Sequence, residues 1–225
     1  MGLKLDKVIP WGRCLDEYIG MFSLTSSDLK LAILDCAGGL ASFNAEMTRQ
    51  GRKIISCDPV YQFTAVEIGD RLPNSQTFIE AFQANLGSYL WNNFESPHQL
   101  AEVRMAAMQE FLADFPSGLE QGRYMTAELP ILPFEDGQFD LALCSHFLFT
   151  DSHLSEEFHL AAITEMCRVA KEVRVFPLLQ SFSGEESEHL NPIIAELKNR
   201  NFRVEVQEAP YEFQKGGNKM LRVTK

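Results

Sequence analysis

From Leu31 to the C-terminus the chain alternates short apolar runs with longer stretches of helical periodicity. Few folds tolerate such an order. Strands separated by helices pair parallel through crossovers, with helices covering both faces of the sheet. "LKLAILDCA", "KIISCDP", "RYMTAEL", "FDLALCSHFLF" and "EVRVFPLL" read as successive strands. "SFNAEMTRQG", "TAVEIGDRL", "FHLAAITEMCRVA" and "NPIIAELKNRN" read as helices, the first ended by Gly51 and the last carrying Pro192 in its first turn. "FRVEVQEA" and "NKMLRVTK" close the chain with "PYEFQKGG" and no helix between them. That is a hairpin, so the last strand is expected antiparallel in a seven-stranded, otherwise mostly parallel α/β sheet.

The 225 residues suit one domain, 1–225, with an insertion. Between Leu72 and Gly122, Phe78, Phe82, Leu86 and Leu90 recur at helical spacing, as do Leu100, Met108, Leu112 and Phe115. Two helices inserted before the third strand are expected over 72–122. They serve either as extra core or as a lid carrying Tyr89, Trp91 and Arg104, with Trp91 and Arg104 as substrate contacts. Residues 1–30 are expected to form a helical cover. A net charge of −11 argues against a nucleic-acid partner, since phosphate binding draws on Lys and Arg. No apolar run reaches a membrane span, the first residues lack a secretory signal, and five cysteines without CxxC spacing suit a reduced cytoplasmic location. A small molecule is the expected partner, and oligomeric state is not legible.

"ILDCAGGLASFNAEM" marks the joint between the first strand and its helix. Open α/β sheets bind ligands beyond the carboxyl ends of their strands, where chain direction switches. Gly38 and Gly39 let a ligand approach the backbone and can take turn dihedrals closed to other residues. Ala37 beside them fits such a bend if its φ stays negative. The following helix offers N–H groups to an anion, but Asp35 would repel a phosphate, so a cationic or zwitterionic ligand fits better. Asp58, followed by Pro59, ends the second strand 19 residues past Gly39, where an acid is suited to ribose hydroxyls. Ribose, positive centre and amino-acid end together describe S-adenosylmethionine.

"ILDCAGGLA", "ISCDP" and "LPILPFEDGQFDLALCSHFLF" resemble, in order, the motifs of class I S-adenosylmethionine-dependent methyltransferases. The resemblance spans roughly Leu31 to Lys225 and narrows to a bacterial subgroup without a known substrate. It implies a Rossmann-like sheet, S-adenosylmethionine as cofactor, and cofactor contacts at Asp35, Ala37, Gly38, Gly39, Asp58 and Pro59. Ala37 and Ala41 replace the first and last glycines of that pattern. Glu128 stands nearest the position that holds the adenine amine. The N-terminal segment of that family often folds over the cofactor, which would set Tyr18 on the methionine portion and Arg13 against a carboxylate; a helix packed on the sheet is the alternative.

Ser145 and His146 end the fourth strand facing the expected methyl group. His146 could take a proton or orient the substrate, or be a structural histidine. His146, His153 and His159 with Glu156 and Glu157 match no familiar metal spacing, so no metal is expected. Cys36, Cys57 and Cys144 should be neighbours at three strand ends, read as packing. Two other functions stay open: a cofactor-binding regulatory module without catalysis, and a nicotinamide-dependent oxidoreductase.

Overall fold

The computed structural model describes residues 11–72, 76, 79–80, 83, 86–180 and 184–225. The strands are β1 (Ile33–Cys36), β2 (Ile54–Cys57), β3 (Tyr124–Met125), β4 (Phe139–Ser145), β5 (Ala170–Phe176), β6 (Arg203–Glu208) and β7 (Lys219–Thr224). They form one sheet in the order β3-β2-β1-β4-β5-β7-β6. Pairing is parallel from β3 to β5, and β7 runs antiparallel to both β5 and β6. The order reverses between β1 and β4, so the crevice of an open sheet lies at their carboxyl ends.

Alternation along the strands sorts the core into two layers. Leu34, Cys36, Ala142, Cys144, Val173 and Val175 face α5 (Glu156–Val169) and α6 (Leu190–Asn199). Ile33, Leu141 and Leu143 face α1 (Leu15–Phe22), α2 (Phe43–Arg49) and α4 (Pro97–Glu120). A short helix, α3 (Ala65–Gly69), opens with a reciprocal cap in which the Thr64 hydroxyl accepts from Glu67 N–H and the Glu67 carboxylate accepts from Thr64 N–H. Cys36 registers with Cys57 on one side and Cys144 on the other, all buried in the α5–α6 layer. They pack as small apolar side chains.

The insertion differs from its expected form. Its second helix, α4, is capped by Ser96, starts at Pro97 and buries Leu100, Met108, Phe111 and Phe115 against α2, α3 and β3. That face is core. The first expected helix lies largely among residues outside the described set, Phe78 and Phe82 included; Gln76, Ile79, Glu80 and Gln83 are helical, while Leu86–Ser88 forms a single 3₁₀ turn. The third strand shrinks to two residues because only Ser56 and Cys57 of β2 lie opposite it.

Candidate cofactor site

The bend after β1 is built by its own donors and acceptors. The Gly38 N–H donates to the Cys57 carbonyl at 3.2 Å, and the Gly39 N–H donates to Asp58 Oδ2 at 3.0 Å. Asp58 Oδ1 accepts from the Val60 N–H at 2.8 Å. Asp58 thus ties the glycine bend to the end of β2 and caps the turn that Pro59 begins. It remains partly exposed, and a carboxylate has lone pairs to spare for a ligand. Burial, with Glu128 nearby, pushes its pKa up to about 6. Glu128 itself is exposed and bridges to Ile131.

The two glycines have different work. A Cβ on Gly38 would stand 2.4 Å from Asp35 Oδ2 and 2.9 Å from the Tyr61 hydroxyl. Gly39, at φ +53°, has open space where its Cβ would be. The bend therefore backs onto Asp35 and Tyr61 and presents Gly39 outward. Gly38→Ala should cost about 2 kcal/mol or more through overpacking, and Gly39→Ala about 1 kcal/mol through its left-handed backbone alone. Thermal unfolding of the two variants checks that order. Ala37 corrects an expectation: its φ is +54°, not negative, so the loop holds a residue with a side chain in the left-handed region.

Asp35 is also placed differently from the expected open carboxylate. Its side chain lies on the α1 side of β1 and is buried. Tyr18 Oη donates to Oδ1 at 3.1 Å, and Ser56 Oγ donates to Oδ2 at 3.0 Å. The Tyr18 ring stacks on Phe43 with centroids 4.1 Å apart, which fixes α1 across the start of α2. Tyr18 is thus a buried support for Asp35 rather than an open cover. Burial raises the Asp35 pKa to about 7, above its unfolded value near 3.8. The stabilisation from its protonated form is complete below about pH 3.8 and is lost as pH rises through about 7. Asp35→Asn should therefore melt above the native protein at pH 8, with that advantage gone at pH 4, as read by melting temperature against pH.

The helix N-terminus offers less to an anion than expected. The Ser42 N–H donates to the Arg13 carbonyl at 3.0 Å, and Ser42 Oγ donates to Glu46, which also accepts the Leu15 N–H. The N-terminal segment is pinned there, across the helix that follows the bend.

Beyond β4 and β5 lies a second cluster. Ser145 is buried, and its hydroxyl stands 2.9 Å from His146 Nδ1. His146 has φ +53°, its N–H donates to the Phe176 carbonyl at 2.7 Å, and its ring meets Phe176 edge-on. Burial, reinforced by Arg13 and Arg104, holds the imidazole well below its usual pKa, so it is neutral. Arg104 corrects the lid expectation: it is fully buried in α4, paired with Glu17 and bonded to the Gly12 carbonyl. Trp91 packs edge-on to Phe213 and Tyr89, and its indole N–H donates to the Leu86 carbonyl. Residues 88–90 bond across to 213–215, through Leu90 N–H to Phe213 O at 2.7 Å and Lys215 N–H to Ser88 O at 3.0 Å. The β6–β7 connection and the insertion thereby close over this end of the sheet.

Sequence reading missed Glu17, Tyr61 and Tyr211, which carry much of this arrangement. Their signal was weak, since nothing in the local sequence shows that side chains from positions 17, 61 and 211 turn inward. His159 is internal: its Nδ1 donates to Ser155 O at 2.7 Å and its Nε2 accepts from the Phe149 N–H at 3.1 Å. No group of three or more potential metal ligands gathers among the described residues. Nor is any helix among them long and apolar enough to cross a membrane.

The strand order, the antiparallel β7 and the glycine bend at the switch point define a class I S-adenosylmethionine-dependent methyltransferase fold. The methyltransferase domain of bacterial CtHen1 superposes with a TM-score of 0.50 at 11% identity, over 93% of this chain and 98% of that one. The magnesium protoporphyrin IX methyltransferase of Synechocystis PCC 6803, solved with bound S-adenosylmethionine, gives 0.47 at 14% identity, over 94% and 77%. No family model matches the sequence. The chain is 33% identical over 222 residues, 97% of each protein, to the uncharacterized protein MJ0045 of Methanocaldococcus jannaschii, and it belongs to that protein's family.

Proposed function

We propose that the chain is an S-adenosylmethionine-dependent methyltransferase acting on a small molecule. The observation that carries this reading is the bond from Gly39 N–H to Asp58 Oδ2, which holds an outward-facing glycine beside an acid at adjacent strand ends. Adenosine would lie along Gly39, with Asp58 toward the ribose hydroxyls and Pro59 and Glu128 toward the base. The methionine end would extend toward Ala37 and Ser145. Asp35 supports this arrangement from beneath, holding the bend through its packing on Gly38.

When bound, the cofactor supplies an electrophilic methyl carbon. The protein's part is alignment and exclusion of water, which can supply most of the barrier reduction for an in-line displacement. A neutral His146 at the end of β4 can orient an acceptor hydroxyl or amine by accepting its hydrogen bond, while burial and the neighbouring arginines, by disfavouring the imidazolium, make it a weak base. The location at the crevice and the aromatic enclosure of residues 89–94 and 211–213 favour a small acceptor over a polymer. The same fold and bend would serve a regulatory module that binds the cofactor without turnover, and turnover separates the two. Incubation with S-adenosylmethionine and fractionated metabolites should yield S-adenosylhomocysteine together with one product 14 mass units heavier than its precursor. Binding without any such product would favour the regulatory reading.

A further inference from the structure

We propose that Arg13 and Arg104 form a buried receptor for one carboxylate group of a bound small molecule. The inference deepens the methyltransferase reading and rests on it for which molecule brings that carboxylate. Arg104 pairs with Glu17 and also bonds the carbonyl of Gly12, the residue before Arg13, so the second guanidinium lies within electrostatic reach of the same carboxylate without pairing with it. Glu17 is buried, pairs with Arg104, accepts the Tyr211 hydroxyl at 2.9 Å, and accepts the Cys14 N–H at 3.2 Å. Its bonding capacity is largely spent. Arg104 gives one nitrogen to Glu17 and the Gly12 carbonyl, yet its Nε and second Nη are buried with no hydrogen-bond partner. Arg13 makes only a long bond, 3.4 Å, to the Trp11 carbonyl, and its Nε is likewise buried without a partner.

Unmet donors of this kind are costly in a fold, and more so when they are charged. The count of charges points the same way. Two cations face one carboxylate, and the nearby imidazole is neutral, so the cluster carries an excess of one positive charge. Burial first, and then the neighbouring Arg104, push Arg13 down to about 10. An anion with paired oxygens would meet the orphaned N–H groups and remove the imbalance, and a carboxylate fits the fork geometry of guanidinium.

The position is suited to a ligand rather than to a structural ion pair alone. Arg104 lies wholly inside, but Arg13 is partly exposed, so the pair runs from solvent to core. Phe94 stands under the Arg104 guanidinium at 5.7 Å, and Tyr211 meets Phe176, which in turn meets His146. An apolar, aromatic surround around a cationic pair favours a carboxylate attached to an apolar body. Either the acceptor or the amino-acid end of the cofactor could carry it.

The experiment uses the full chain and calorimetric titration. Acetate and benzoate are compared with acetamide and benzamide, in the presence of S-adenosylhomocysteine and in its absence. S-adenosylhomocysteine is compared with 5′-methylthioadenosine, which lacks the amino-acid carboxylate. Arg13→Met removes the outer cation, and the double change Arg104→Met with Glu17→Gln removes the inner pair without stranding a charge; circular dichroism confirms that each is folded. Carboxylates should bind and amides should not, with at least a tenfold loss in both variants, if the acceptor is the source. If the cofactor is the source, its preference over 5′-methylthioadenosine should fall at least tenfold in both variants. Both results support the receptor. Unchanged binding in both arms, in folded variants, overturns it. Failure of S-adenosylhomocysteine to bind the native protein, with carboxylate binding still dependent on Arg13, would remove the methyltransferase reading and leave the receptor standing.

Discussion

Replacing Arg104 by alanine should destabilise the fold by about 3–5 kcal/mol, the usual cost of removing one member of a buried ion pair. Glu17 would be left as a buried carboxylate, with the Tyr211 hydroxyl, the Cys14 N–H and the Cys14 thiol as its remaining donors. Against the cost of burial, Arg104 now holds the Glu17 pKa below its usual value. Without that cation the carboxylate keeps only the unpaired, more distant charge of Arg13, and it must take up a proton or draw water into the core. Three segments distant in sequence would loosen together: α1 through Glu17, α4 through position 104, and the β6–β7 connection through Tyr211. Urea unfolding at pH 7 measures the loss. Arg104→Met combined with Glu17→Gln should cost clearly less than the single alanine change, because it strands no charge. A single-variant loss below about 1 kcal/mol would contradict this view of the cluster.

Asp58→Ala should weaken S-adenosylmethionine binding by 100-fold or more. Two contributions combine. The bend loses the acceptor for its Gly39 N–H, and the turn at Pro59 loses its cap at Val60. On the placement proposed for adenosine, the ligand also loses charge-assisted bonds to its ribose hydroxyls, each of the order of 1.5–3 kcal/mol. Calorimetric titration of variant and native protein gives the ratio directly. A ratio under tenfold would mean that Asp58 only braces the loop.

Much of the fold was legible because periodicity is a local property. The runs "LALCS" and "VRVF" announced β4 and β5, and the absence of a helix between "FRVEVQEA" and "NKMLRVTK" announced the antiparallel β7. β3 was overread: "RYMTAEL" has the composition of a strand, but pairing is set by the partner, and only two residues of β2 face it. That Asp58 and Gly39 would lie together at adjacent strand ends was legible from residue type and from the strand pattern. What spacing could not reveal was the direction of side chains. Asp35 alternates onto the α1 side of its strand, where Tyr18 and Ser56 enclose it, and nothing in "ILDCAGG" says that those hydroxyls will be there. Arg104 shows the same gap. A charged residue on a helix reads as exposed until its partner is known, and its partner lies 87 residues away at Glu17. Ala37 fails differently, since a positive φ in a residue with a side chain is imposed by the bend as a whole.

The most direct measurement is the titration of the purified native chain with S-adenosylmethionine, followed calorimetrically. One saturable site per chain is predicted, displaced by S-adenosylhomocysteine and indifferent to a nicotinamide dinucleotide. Absence of binding, or preference for the dinucleotide, would contradict the assignment of the crevice at the carboxyl ends of β1 and β4 to a sulfonium nucleoside.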